Sequence, residues 1–282
     1  MLVSVVIPTY NRLPILKKCL DSLKNQILID EIFDYEVVIV DDGSTDGTIK
    51  WLEENIQTFP HLRFFEQSHG GPALGRNLGV EKSNGDLIIF IDSDLVVDKY
   101  FLMNHVNSLT QAWKKQRNRK CFTYGSVINT SNFKNPKSEP FKLQDLSWAY
   151  FATGNVAIDK KVLEKSGLFD TSFHLYGWED LELGERLRNM GVKLVKCPKA
   201  IGYHWHPVLS LDQIPHLIRI EKERAKMALV FYRKHPTLRV KFIIQYTFIH
   251  LFLWESLTLG GLINTNSIRP LLAFLIKQGK PG

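Results

Sequence analysis

GDLIIFIDSDLVV, residues 85 to 97, carries five apolar side chains, Leu87 to Ile91, straight into two aspartates one residue apart, Asp92 and Asp94. An apolar run without polar alternation predicts a strand buried on both faces. Three further runs share this character: SVVIP (4–8), YEVVIV (35–40) and LRFFEQ (62–67). Between them LPILKKCLDSLKNQ (13–26), DGTIKWLEENI (46–56) and PALGRNLGVEKS (72–83) have helical spacing, the second with Ser44 or Thr45 placed to cap it. Strands alternating with helices predict an α/β fold, a mostly parallel sheet covered on both faces.

Open parallel sheets bind ligands beyond the carboxyl ends of their strands, and the unusual polar residues fall there. The first strand ends in Thr9, Tyr10, Asn11 and Arg12, the second in Asp41 and Asp42, the fourth in Asp92 and Asp94. Two like charges about 4 Å apart cost roughly 4 kcal/mol at an effective dielectric near 20, so carboxylates gathered on one edge need a cation. Oxygen ligands with room for phosphate suit Mg²⁺ or Mn²⁺ better than zinc. The pair Asp92 and Asp94 therefore predicts a metal site that holds a diphosphate. Asp41 or Asp42 could accept from the N3–H of uracil or from ribose hydroxyls; an Asx turn ahead of a helix uses the same residues equally well. Gly70 and Gly71 precede a helix N-terminus that suits an anion, and Arg76 lies within that helix.

After residue 100 the pattern changes. A helix (100–113) leads through the basic KKQRNRK to CFTYGSVI, a polar loop (129–145), the strand-like FATGNVAI, two helices (KKVLEKSG and 178–191), a short strand (193–196) and GYHWHP. Two acids, Glu179 and Asp180, open the later helix, where acids in a first turn offset its dipole.

The chain has 282 residues, 44% apolar, enough for a full core. Three separated cysteines fit a reducing compartment, and the first strand begins too early for a secretory signal, so the expected location is cytoplasmic. The net charge of +7 concentrates between His216 and Lys241, with eight Lys/Arg against two Glu. Phe242 to Ile263 follows with one charged residue, Glu255, and as one helix it would run about 33 Å. Basic residues followed by an apolar run predict a peripheral, monotopic contact of 216–263 with anionic lipid on the inner face of the cell membrane, rather than a nucleic-acid partner. A helix packed on the rest of the chain, or in an oligomer interface, is the competing reading.

Together SVVIPTYNR, VVIVDDGSTDGT, GGPALGRNLGV and GDLIIFIDSDLVV, in this order across residues 3 to 97, resemble the family 2 glycosyltransferases with the GT-A, Rossmann-like fold. The stretch from TGNVAIDKK to RNMGVKL is similar to the acceptor-side region of galactosyl- and N-acetylgalactosaminyl-transferases. The resemblance reaches about residue 206 and leaves the tail outside. It implies a UDP-sugar donor held by Thr9, Tyr10, Asp42, Arg76 and Asp92, with Asn155 and Trp178 at the sugar. It implies Mn²⁺ or Mg²⁺ on Asp94, Asp92 and His204, with His206 as the alternative histidine, and Asp180 as catalytic base beside Glu179. Residues 1–98 then form the nucleotide-sugar half, 99–211 the acceptor half, and 212–282 a helical tail. The implied activity is metal-dependent, inverting transfer of a hexose or N-acetylhexosamine to a glycan or lipid-linked acceptor in cell-surface polysaccharide synthesis. Three rivals stand beside it: a retaining N-acetylgalactosaminyl-type transferase, a nucleotidyltransferase, and a catalytically silent, membrane-associated nucleotide-binding module.

Overall fold

The structure, a computed structural model, describes residues 1–28, 34–139, 150–265 and 267–278. The chain divides into two compact units: residues 1–174 with 179–206, and residues 175–178 with 207–282.

The first unit is built on one eight-stranded sheet. Its strands are β1 (Leu2–Thr9), β2 (Asp34–Asp41), β3 (Leu62–Glu66), β4 (Leu87–Ile91), β5 (Leu95–Val97), β6 (Cys121–Thr130), β7 (Asn155–Asp159) and β8 (Lys193–Trp205), in the order β3-β2-β1-β4-β7-β6-β8-β5. The four expected strands β1 to β4 pair in parallel, β7 is antiparallel to both neighbours, and β6 and β8 run parallel to each other. The sheet is thus mostly parallel, as expected. Alternate residues of β4 serve opposite faces. Leu87, Ile89 and Ile91 join a core with Leu16, Leu20 and Leu23 of α1 (Leu13–Lys24) and with Phe101, Leu102 and Val106 of α4 (Phe101–Gln116). Ile88 and Phe90 join a second core with Val80 of α3 (Pro72–Lys82) and with Leu183 and Leu187 of α6 (Glu179–Asn189). Burial on both faces is why the run lacks polar alternation. At Gly79 of α3 an added Cβ would lie 2.3 Å from Val6 Cγ1, so only glycine lets this helix approach β1 so closely.

Several local expectations need correction. Ser44 and Thr45 do not cap α2 (Thr48–Asn55). Its N-cap is Gly47, and Asp46 accepts from the Thr48 amide and hydroxyl instead, while Ser44 and Thr45 bind Asn11. The short strand expected at 193–196 is the start of a 13-residue strand, β8. Pro198, which argues against a continuing strand, sits in an irregularity where the pairing to β6 jumps from Gly125↔Cys197 to Ser126↔Ile201, so its missing N–H costs no ladder bond. The strand-like FATGNVAI contributes only its second half, β7, followed by α5 (Lys160–Lys165). Residues 140–145 of the polar loop lie outside the described residues.

The second unit is helical: α7 (Ile214–Lys234), α8 (Leu238–Ile243), α9 (Phe248–Thr258) and α10 (Arg269–Gln278). The single helix expected over 242–263 is broken. Gln245 takes φ 57°, Thr247 caps α9 through its hydroxyl, and Leu259, Gly260 and Gly261 at positive φ end it. Among the described residues, no helix is long and apolar enough to cross a membrane.

Candidate active site

The carboxyl end of β4 releases the chain at Asp92, and three residues later β5 pairs antiparallel with the end of β8, Leu95 opposite His204. The Trp205 amide donates to the Asp94 carbonyl, tightening this pairing. Asp94 consequently meets His204, Oδ1 to Nε2 at 2.9 Å, while its Oδ2 lies 2.6 Å from Arg12 Nη1. Each of Asp92, Asp94 and His204 presents a ligand atom within 4.8 Å of the other two. Of the two histidines left open by sequence, His204 is the one in this group; the His206 ring stacks obliquely on it, centroids 4.1 Å apart. Burial would raise the Asp94 carboxyl, but the hydrogen bond and charge of His204, with Arg12 behind, hold it below its usual range. Asp94 in turn raises His204 against the effect of burial, whereas burial and His204 together depress His206. Two carboxylates and one imidazole fit a divalent cation. The nitrogen donor favours Mn²⁺ over the harder, oxygen-seeking Mg²⁺.

A second ionic cluster adjoins the first through Arg76. This side chain, 5% exposed, donates from Nη1 to Glu179 Oε1 at 2.9 Å and from Nη2 to Asp92 Oδ1 at 3.1 Å. Burial works against its charge, but Asp92, Glu179 and Asp180 more than restore it. The guanidinium also lies 5.6 Å from the ring of Phe169, whose backbone is clamped by both ends of the Asn77 amide. The arginine expected at a phosphate uses one N–H of each terminal nitrogen to tie the residue after β4 to α6. Asp180 is pushed up to about 7, by burial first and by the neighbouring Glu179 second, despite the opposing pull of Arg76. A carboxyl tuned near neutrality is what a general base for a hydroxyl requires.

The other expected residues fall into three groups. Thr9 is buried, with an Oγ1 that has no protein partner; Glu179 Oε2 and Arg76 Nε share that state. Such orphaned atoms are expected where a polar ligand completes the bonding. Tyr10 is exposed and stacks on His69, centroids 4.2 Å apart. Asp42 is already engaged: Oδ1 accepts from Gln67 Nε2 and the Gly70 amide, Oδ2 from the Gly71 amide, and His69 Nδ1 lies 2.8 Å from Oδ2. Three N–H donors, with the His69 ring alongside, take most of the lone-pair capacity of this carboxylate. Asp41 forms the Asx turn, accepting from the Gly43 and Ser44 amides.

Asn155 was expected at the donor sugar, and the structure places it fully buried. Its Oδ1 bonds His105 Nε2, and its Nδ2 donates to the carbonyls of Ser126 and Ala200, where β6 and β8 fall out of register. His105, depressed to about 4 by burial, is neutral and bridges Asn155 to Thr123. Trp178 belongs to the second unit, where its Nε1 donates to the Arg224 carbonyl at 2.7 Å and the Arg224 guanidinium covers the indole. Sequence reasoning missed Arg12, His69 and Gln67 as partners of the acidic residues. Their proximity to strand ends was the one available signal.

The comparisons with known proteins agree with this architecture. The model for "Glycosyl transferase family 2" matches residues 4–167, and that for "N-terminal domain of galactosyltransferase" matches residues 136–208. The chain is 29% identical to a chondroitin synthase of Escherichia coli over 72% of its own length. It spans about a third of that relative, 34%. Among solved structures it resembles a mannosyltransferase of Pyrobaculum calidifontis in complex with GDP-Man and Mn²⁺, at TM-score 0.60 and 22% identity over 86% of this chain and 68% of that one. It also resembles GalNAc-T7 with UDP, GalNAc and Mn²⁺, at TM-score 0.58 and 19% identity over 73% of this chain and 44% of the other. These two likenesses establish a shared fold of the GT-A kind.

Proposed function

This chain belongs to glycosyl transferase family 2, and from that premise we propose that it moves a hexose or N-acetylhexosamine from a UDP-sugar to a glycan or lipid-linked acceptor in cell-surface polysaccharide synthesis, inverting the anomeric centre with the help of Mn²⁺. One observation carries the reading: Arg76 joins Asp92, at the Asp92–Asp94–His204 ligand set, to Glu179, the neighbour of Asp180, whose carboxyl is raised to about 7. The chondroitin synthase relative supports a polysaccharide product, and GalNAc-T7 with UDP and Mn²⁺ supports the donor and the ion.

Asp92, Asp94 and His204 would hold the cation, which when bound neutralises the leaving diphosphate as a Lewis acid. Residues 1–98 supply the nucleotide side, with the Thr9 hydroxyl and the Tyr10 ring as contacts for the nucleotide. Residues 99–211 supply the acceptor side, and 212–282 form the tail. Asp180 accepts the proton of the acceptor hydroxyl as that oxygen bonds the anomeric carbon; the bond from this carbon to the diphosphate breaks, and its electron pair leaves with UDP. Glu179 and Arg76 hold the α6 terminus against Asp92, while burial and then the charge of Glu179 raise the basicity of Asp180. Direct attack with a single base inverts configuration.

The test is UDP release from a panel of UDP-sugars with Mn²⁺ or with EDTA, followed by NMR of the product's anomeric configuration. Release from one sugar, lost with EDTA, and an inverted product are expected. Absence of release together with absence of UDP binding contradicts the proposal, and a retained configuration contradicts the inverting mechanism.

A further inference from the structure

We infer that the C-terminal helical unit is a monotopic docking element for an anionic bilayer, with α9 lying in the plane of the membrane surface. The first observation is charge. Residues 175–178 with 207–282 contain eleven Lys/Arg against four Asp/Glu, which equals the entire net charge of +7 and leaves the sheet-bearing unit neutral. Charge confined to one unit orients that unit toward a negative surface, as the cytoplasmic leaflet is.

The second observation is the apolar exposure of α9. None of its residues is buried. Phe248 is 83% exposed and Trp254 70%, and Ile249, Leu251, Phe252, Leu253 and Leu257 are exposed as well. At 100° per residue these positions pass around the whole circumference of the helix. A protein partner covers one face of a helix, whereas acyl chains can surround most of it, so exposure all round selects lipid over a second copy of the chain. Large aromatics mixed with aliphatics, preceded in the chain by Arg233, Lys234, Arg239 and Lys241, match the composition of interfacial segments.

The third observation fixes the orientation. α9 has 11 residues, about 16 Å, roughly half of a bilayer core. Its ends are hydrogen-bonded internally: Thr247 caps the start, and the Gly260 amide returns to the Glu255 carbonyl at the end. A short, self-capped helix sinks into the headgroup boundary without crossing it.

The experiment is co-sedimentation of the full chain with phosphatidylcholine vesicles, with and without phosphatidylglycerol, at low and high salt. The protein is expected to pellet with the anionic vesicles and to be released in part by salt. The double variant Phe248→Ser with Trp254→Ser should partition at least about tenfold less, because two exposed side chains lose their apolar transfer. Its melting temperature and its UDP release in lipid-free solution should match the wild type, which separates this inference from the transferase reading. Wild type remaining in the supernatant with anionic vesicles overturns the inference. Light scattering that shows a dimer converted to monomer by the same double variant also overturns it, assigning the face to a second copy.

Discussion

Asp180 stands in the first turn of α6, where the helix dipole favours a charged carboxylate. Burial and the neighbouring Glu179 nonetheless raise it to about 7. As a base it works only when deprotonated, so kcat/KM should rise with pH through about 7, and Asp180→Asn should lower kcat by roughly 10²–10⁴-fold in a UDP-release assay. The same shift has a cost for stability. A carboxyl raised above its unfolded value near 4 makes the native state bind more protons, so its contribution to stability falls as pH climbs from about 4 through 7. Asp180→Asn removes that penalty, and its melting temperature at pH 8 should equal or exceed that of the wild type, with the difference shrinking toward pH 4. Sequence placed Asp180 at a helix start but could not reveal its poise, which depends first on burial and then on the charge of Glu179. Sequence favoured His204 over His206 without separating them. The structure groups His204 with Asp92 and Asp94 through the pairing of Leu95 with His204, in a strand of three residues too short to show periodicity.

At the scale of elements, continuous apolar runs made β1 to β4 legible, because burial on both faces leaves a direct imprint on sequence. The return from β6 to β8 was not legible. Its irregular register is held by the side-chain amide of Asn155, which satisfies the Ser126 and Ala200 carbonyls, and an added Cβ on Gly125 would lie 2.4 Å from that amide. Asn155→Ala should leave these carbonyls and His105 short of partners, costing about 1–3 kcal/mol for each group left unsatisfied. Denaturant unfolding measures that loss. Because β8 carries His204, Mn²⁺ affinity should fall in parallel without any change at the ligands themselves. At the opposite end of the sheet, Glu36 accepts from Ser4 and from the backbone amide and side chain of Asn84, and pairs with Arg63 at 2.7 Å. Its carboxyl is held low against desolvation by these partners, so its contribution is present above the unfolded carboxylate range and is lost as pH falls through its folded value. Glu36→Ala should destabilise by about 1–3 kcal/mol at pH 7, because the Ser4 and Asn84 donors lose their acceptor, and by less at pH 3. Urea unfolding at the two pH values checks this.

For the whole molecule, the neutral sheet unit carries the Asp92–Asp94–His204 group, and the basic helical unit carries the positive charge and the exposed apolar helix. Composition announced the basic segment and the apolar run. It did not announce the break at Gln245 and Thr247, because one residue at positive φ and one hydroxyl cap suffice to divide a helix while leaving the hydropathy unchanged. Of the group that could hold an ion, Asp92 and Asp94 stand out in sequence at the end of one strand, whereas His204 arrives from a distant strand. The decisive quantity is therefore whether Asp92, Asp94 and His204 act together on one ion. Titration of Mn²⁺ into the protein with UDP present, followed by the electron paramagnetic resonance of free Mn²⁺, measures it. One tightly bound ion in the wild type, lost in Asp94→Ala and in His204→Ala with folding intact, is the expected result. Equal Mn²⁺ uptake by wild type and both variants, or none by any of them, would contradict the site.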